Sequence, residues 1–410
     1  MRRFLKVLFV SGEFPPMQGG VGDYTREMGL ALGNSGCSVH IATSAGAGPV
    51  PGLTVHALVK RWTWGSWREL LDLVRQERPG VVHIQYQAAA YAMHPAINLL
   101  PWRLRRMGRE RPKVVVTFHD LKVPYLFPKA GRVRHWVVEE LARRSDAAIA
   151  TNREDFERLR ASLPFPPALI PIGSNIAPAV PTGYDRQAWR RRWGAEADDL
   201  LLCFFGFVNA RKGVDTLLHA LAMLEHPMSG PPSVQPSLHY TQGQAPLKGE
   251  RARLVMIGGQ TGTSDPTNVA YLARIKRLIA ELGLEQQVCW TGYLASEEVS
   301  ASFLAADLCV LPFRDGASFL HGTFHAALAH GAPILTTRPR VTLPELAHGE
   351  NVYLVPPDEP EALALAIVEL AAAPELRRKL GEGASTLSEQ FRWPKIAADT
   401  LALYRTIGVT

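Results

Sequence analysis

The chain has 410 residues, 47% of them hydrophobic and 20% charged; that is too long for one core and ordinary for a soluble globular protein, so two domains are the default. No apolar run reaches the roughly 18 residues needed to cross a bilayer, and the run 5–10 after Arg2 and Arg3 is too short for a signal-peptide core. The net charge of +7 is uneven, with 24 Lys and Arg against 14 Asp and Glu in residues 1–180 and 21 against 24 in the remainder, so an anionic partner would meet the first half unless that face is simply solvated.

Short Val/Ile/Leu runs alternate with helix-period segments throughout, the pattern of βαβ units and parallel sheets. The fold class is α/β, with two tandem doubly wound, Rossmann-like domains and a ligand cleft expected between them. Strands are predicted over 6–10, 39–43, 54–58, 81–85, 113–118, 147–151 and 168–172, with helices over 24–32, 67–77, 133–144 and 153–160. After the first strand comes Gly19-Gly20-Val21-Gly22. A dinucleotide fingerprint is opposed by the long loop before it, by Thr25 at the third glycine position, and by the lack of an acidic residue closing the second strand. Gly19 and Gly20 instead suit close backbone approach of a substrate to a helix N-terminus, or a turn with no ligand. Trp62, Trp64 and Trp67 beside Lys60 and Arg61, and the five arginines of 99–111, suit an anionic membrane face. Core packing of the tryptophans is the competing reading. No nucleic-acid-binding module accompanies the charge, so nucleic acid is not expected as a partner. Val114-Val115-Val116-Thr117-Phe118-His119-Asp120 puts a His at a strand's carboxyl end, placed to bond a hydroxyl or move protons near neutral pH. A strand-end His satisfied by backbone, and Asp120 capping a turn, are the plain alternatives.

Pro and Gly punctuate 171–183, an interdomain linker. Strands follow over 200–205, 253–257, 287–291, 308–311, 333–336 and 352–355, and helices over 214–224, 269–282, 297–305 and 360–372. The Pro/Gly-rich stretch 227–249 reads as a surface insertion. Boundaries fall at 1–178, 179–388 and 389–410, the last a helix packing back on the first domain. Arg211-Lys212-Gly213, between a buried strand and a helix, pairs a guanidinium fork with a point charge, as a diphosphate requires. Ala306–Thr336 reads as strand, loop, short helix and strand, an anion site at a helix start. His321 and His325 lie four apart, but Gly322 replaces the Glu of a zinc-protease motif, and Asp-x-Asp is absent, so no metal is expected. The four cysteines have no metal or redox spacing and read as reduced thiols of a cytoplasmic protein.

Taken in order, these segments resemble the family-4 retaining glycosyltransferases of GT-B fold. The ordered set runs through Gly19-Gly20, Thr117-Phe118-His119-Asp120, Ile172-Gly173-Ser174-Asn175, Gly206…Lys212-Gly213-Val214-Asp215, Trp290-Thr291-Gly292-Tyr293, Ala306-Asp307-Leu308 and Ala326…Gly331-Ala332-Pro333. The resemblance implies a nucleotide-diphospho-sugar substrate, no separate cofactor, and a glycan or lipid-linked acceptor in surface polysaccharide or glycolipid assembly. It places His119 and Asp120 at the reacting centre, with Gly19, Gly20, Arg211, Lys212, Gly322 and Thr323 on the donor. Tyr86 and Tyr125 are candidates on the acceptor side. The family's two Glu residues, eight apart, are Ala317 and His325 here. His325 would therefore substitute as a neutral ribose partner or leave the ribose to other groups, while Asp315 and Ser318 would take the sugar hydroxyls. The expected location is cytoplasmic, peripheral at the inner membrane face. A GT-B sugar-nucleotide epimerase or hydrolase, and a non-catalytic nucleotide-sugar-binding protein, are the alternatives.

Overall fold

The computed structural model describes residues 4–17, 19–108, 111–121, 132–225, 251–258 and 266–409. The insertion 227–249 and Tyr125 lie outside the described residues. The chain divides into two compact units, one of Met1–Asn175 with Gln390–Thr410 and one of Ile176–Glu389.

The first unit runs β1 (Lys6–Ser11), α1 (Gly20–Asn34), β2 (Ser38–Ser44), β3 (Thr54–Val59), α2 (Ser66–Glu77), β4 (Val81–Tyr86), α3 (Leu100–Arg105), β5 (Lys113–Phe118), α4 (Arg132–Arg144), β6 (Ala147–Ala150), α5 (Arg153–Ser162) and β7 (Ala168–Leu169). Its parallel sheet has the order β3-β2-β1-β4-β5-β6-β7. The central strands β1, β4 and β5 are buried at nearly every position and mostly apolar because helices cover both faces. Leu8, Val10, Val82, Ile84, Val114 and Val116 face one core, and the alternate residues Val7, Phe9, Val81 and Val115 face the other. The last strand pairs over two residues, not the five predicted: Pro171 has no N–H for a ladder bond.

The second unit runs α6 (Arg186–Arg192), β8 (Leu200–Phe205), α7 (Val214–Glu225), β9 (Ala252–Ile257), α8 (Pro266–Glu281), β10 (Val288–Gly292), α9 (Ser296–Ala305), β11 (Leu308–Leu311), α10 (Gly322–Ala329), β12 (Ile334–Thr337), β13 (Tyr353–Val355), α11 (Pro360–Ala372) and α12 (Pro374–Ser388). Its parallel sheet has the order β10-β9-β8-β11-β12-β13. The final helix α13 (Trp393–Thr406) belongs to the first unit, where Ile396, Ala397 and Tyr404 join the core of Phe9 and Met28. Tyr404 Oη lies 2.6 Å from His83 Nδ1, and His83 Nε2 lies 2.7 Å from Thr117 Oγ1, a buried chain locking α13 to β4 and β5. Burial depresses the His83 pKa to about 3, so the imidazole serves as a neutral link.

Candidate functional site

Each sheet reverses its strand order once, between β1 and β4 and between β8 and β11. Doubly wound sheets collect ligands at the carboxyl ends of the strands flanking such a reversal. In the second unit β8 is followed by Gly206, whose φ of 109° favours glycine. Any side chain there would meet Lys212 Nζ and Thr323 Cγ2, so the missing Cβ is what lets these two groups converge. Gly213, with φ 62°, rests against the Pro312 carbonyl. The Arg314 N–H donates to the Arg211 carbonyl at 2.8 Å. These two contacts fasten the loop after β8 to the loop after β11.

The Lys212 ammonium has no carboxylate partner among the described residues and lies 5.8 Å from the Phe204 ring centroid. Burial lowers its pKa from 10.5 to about 8. The Thr323 hydroxyl is buried with no hydrogen-bond partner among the described residues, and His321 gives α10 no side-chain cap. A desolvated cation, an orphan hydroxyl and an uncapped helix start together suit a phosphate-like anion. Arg211 is exposed at the rim, its N–H held by Asn209 Oδ1 at 3.1 Å. Asp215 is buried at the start of α7 and accepts from Tyr271 Oη at 2.8 Å, Arg274 at 3.2 Å and Arg314 at 2.7 Å, bracing the same two loops. Asp315 Oδ1 lies 3.6 Å from His321 Nε2, and that imidazole holds the carboxyl below its usual range.

One donor-side expectation is corrected. His325 is 1% exposed, and its Nε2–H donates to the Phe319 carbonyl at 2.8 Å. Burial lowers its pKa to about 4, so it is a neutral core group bracing the loop before α10 and is not presented to a ribose. Ser318 Oγ accepts from the Leu320 N–H at 3.2 Å, closing a local turn. Ala317 is buried, with its N–H on the Thr337 carbonyl.

In the first unit His119 Nε2 lies 3.0 Å from Gln85 Oε1, and its ring stands edge-on to Tyr24. Because an amide oxygen only accepts, Nε2 carries the proton and Nδ1 the lone pair. Burial pushes the His119 pKa down to about 3. Proton traffic near neutral pH, expected from the sequence, is therefore disfavoured, and a neutral polar contact is what remains. Asp120 accepts from Gln87 Nε2 at 3.4 Å. Gly19 and Gly20 do begin a helix, but Glu13 already covers it: its Oε1 accepts from the Val21 and Gly22 N–H groups at 3.1 and 3.4 Å, and Gly19 abuts the carboxylate. A phosphate at that helix end would displace or face this anion. Gly20 is exposed, and a Cβ there would meet nothing. Tyr86 is also corrected. It is 0% exposed, packs against Tyr91 and Phe118, and accepts from Asn98 Nδ2, so an acceptor does not reach it.

Two family models match the chain, glycosyl transferases group 1 over residues 185–386 and a glycosyl transferase 4-like domain over 19–173. The chain belongs to the glycosyl transferases group 1. Among curated relatives of this family, a D-inositol 3-phosphate glycosyltransferase of Streptomyces bingchenggensis is 27% identical over 65% of this chain. The chain spans 54% of that relative's length. Among solved structures, sucrose-phosphate synthase of Thermosynechococcus elongatus superposes with a TM-score of 0.70 at 22% identity, covering 99% of both chains. Anabaena HepE in complex with UDP superposes with 0.72 at 16% identity, covering 98% of this chain and 100% of that one. At these identities the likeness is one of fold, two parallel-sheet α/β domains of GT-B type.

In this group 1 chain, sequence reading missed Glu13, Gln85 and Asp215. Gln85 is fully buried, and its Nε2 has no partner among the described residues. Its signal was placement, at the end of the strand beside His119's own. Glu13 gave no signal, since its contact with α1 depends on the path of the intervening loop. Asp215 had one, as an acidic residue in a first helical turn three residues after Lys212.

Proposed function

We propose that the protein is a retaining glycosyltransferase that moves a sugar from a nucleotide-diphospho-sugar to an acceptor hydroxyl. The observation carrying this reading is the desolvated Lys212 ammonium, without a carboxylate partner among the described residues, beside Thr323 at the start of α10. As the bond from the anomeric carbon to phosphate breaks, its electron pair goes to the diphosphate, and Lys212, Arg211 and the α10 N–H groups meet that charge without a divalent ion. The acceptor oxygen forms the new bond on the face the diphosphate leaves, and its proton passes to the departing phosphate oxygen. HepE binding UDP and UDP-glucose supports such a donor. His119, with Asp120 next to it, contacts the transferred sugar as a neutral polar group.

The expected test is a thermal-shift screen against UDP-, GDP- and ADP-sugars, followed by product analysis with acceptor extracts. One nucleotide sugar should raise the melting temperature, and a glycoside of unchanged anomeric configuration should form. His119→Ala should keep donor binding and lose turnover. Binding without any glycoside would support a non-catalytic nucleotide-sugar-binding protein, and free sugar or an epimer without acceptor would support a hydrolase or epimerase.

The acceptor we propose is a glycan or lipid-linked sugar of surface polysaccharide or glycolipid assembly, met at the cytoplasmic membrane face. Its support is the charge surplus of the first half and the surface where Trp64 stands edge-on to Trp67 and Arg106 covers Trp102 at 3.8 Å. Trp62 does not contribute, being buried with its Nε1–H on Ser44 Oγ. Among the described residues no helix is long and apolar enough to cross a membrane, so the contact would be peripheral. Pelleting with phosphatidylglycerol vesicles should be strong at low salt and weaken in Trp64→Ala/Arg106→Ala; equal pelleting with neutral vesicles would remove the proposal.

A further inference from the structure

Away from the strand ends described above, three potential ligands converge toward the amino ends of β2 and β3. His40 on β2, His56 on β3 and Glu77 at the last position of α2 each present one ligand atom, all within 4.8 Å of one another. His40 Nδ1 stands 3.0 Å from His56 Nε2 and 3.5 Å from Glu77 Oε2. Ligands on a tetrahedral zinc at roughly 2.05 Å lie about 3.3 Å apart, a value these two separations bracket. His40 and Glu77 are largely buried, with side chains 10% and 15% exposed, which limits hydration of anything held there. The second nitrogen of His40 also has a partner, with Nε2 lying 3.4 Å from Ser38 Oγ. With Nε2–H donating to that hydroxyl, the Nδ1 lone pair is directed into the cluster, as second-shell partners of metal-bound imidazoles arrange it.

We propose that His40, His56 and Glu77 form a site for a zinc-like divalent ion, with water completing the fourth position. Two imidazoles and one carboxylate suit Zn²⁺ and its first-row neighbours and suit Mg²⁺ or Ca²⁺ poorly. The ion replaces the proton that His40 Nδ1 and His56 Nε2 now share, and so ties the edge strand β3 and its neighbour β2 to the end of α2. One group opposes it. Lys6 Nζ lies 2.9 Å from Glu77 Oε2, but its side chain is 33% exposed and can swing into solvent when the carboxylate turns to the ion. The ammonium therefore competes for Glu77 and sets the affinity of the site.

The test is titration of the full-length protein with ZnCl₂ by calorimetry, with Co²⁺ as a spectroscopic probe. The expected result is one ion per chain, a raised melting temperature, and the intense visible absorption of a four-coordinate Co²⁺ complex. His56→Ala and Glu77→Gln should each weaken binding at least tenfold, and Ser38→Ala by about tenfold. Lys6→Gln should bind more tightly than the unaltered protein, a gain that poor folding cannot imitate. Undiminished binding in both Glu77→Gln and His56→Ala, or no stoichiometric binding by the unaltered protein, would overturn the proposal.

Discussion

Lys212→Met is expected to raise the melting temperature of the ligand-free protein and at the same time to remove nucleotide-sugar binding. The ammonium is desolvated and has no carboxylate partner among the described residues, and its pKa has fallen from 10.5 to about 8. A base whose pKa is lowered by folding holds its proton more tightly in the unfolded chain. Its charge therefore opposes folding fully below pH 8, less as pH climbs towards 10.5, and not at all above that. The fall corresponds to roughly 1–3 kcal/mol once partial exposure is allowed for. Methionine keeps most of the volume beside Phe204 and Thr323 without the charge. Melts at pH 7 and pH 10.5 should then differ between the two proteins at the lower pH and converge at the higher. Binding runs the other way, because a charge-assisted bond to phosphate is worth about 1.5–3 kcal/mol, so affinity should fall at least tenfold. In the unaltered protein, affinity should also decline as pH passes 8, later where bound diphosphate holds the proton. A Met variant that melts lower at pH 7 and binds the donor unchanged would show that Lys212 is a packing residue.

Much of this site was legible because parallel sheets advertise their carboxyl ends. The run Leu200 to Phe205 followed by glycine, two cations and a helix fixes where a phosphate-like anion can sit. The strands needed only their apolar runs, and nearly all fall within a residue of their predicted ends. The errors share a cause. Tyr86 closes a strand buried on both faces, where alternation no longer tells a core side chain from one facing a ligand. His325 reads as polar and available, yet the 316–321 loop brings the Phe319 carbonyl over it; Gly316, with φ 80°, turns that loop against the Arg338–Arg340 backbone. Glu13 caps α1 across a loop of irregular path, and His83 meets Tyr404 across 321 residues. Such contacts depend on tertiary packing, which local periodicity does not encode. Helix α6 is not among the predicted elements at all: its residues Arg-Gln-Ala-Trp-Arg-Arg-Arg show no apolar period, yet Arg190 points inward and is 1% exposed.

That buried arginine leads to the second large effect, an expected loss of roughly 3–5 kcal/mol in Asp307→Ala. Asp307 stands just before β11 and does three jobs with one carboxylate. Its Oδ2 accepts from Arg190 Nη1 at 2.7 Å and from the Leu201 N–H at 2.8 Å, and its Oδ1 accepts from Arg186 at 2.6 Å. Alanine would leave the Arg190 guanidinium inside the unit with the Ala305, Glu196 and Asp199 carbonyls as its partners among the described residues, and would take the acceptor from the Leu201 N–H of β8. The first unit uses the same device: Asp146, just before β6, accepts from the Val114 N–H at the start of β5 and pairs with Arg111 at 2.7 and 2.8 Å. Each sheet thus pins a strand start with an Asp–Arg pair, so the Ala306-Asp307-Leu308 segment is explained by folding and owes nothing to the donor. If that is right, urea melts of Asp307→Ala should show the full loss, and Asp307→Asn should lose less because its amide oxygen still accepts from Leu201. Combining Arg190→Met with Asp307→Asn should recover stability relative to Asp307→Asn alone, because the unpaired charge goes too. Glu382→Ala, which removes an exposed partner of Arg378, should leave the melt unchanged. Equal losses at positions 307 and 382 would mean that burial does not set the cost of these pairs, and the shared role of Asp146 and Asp307 would fall with it.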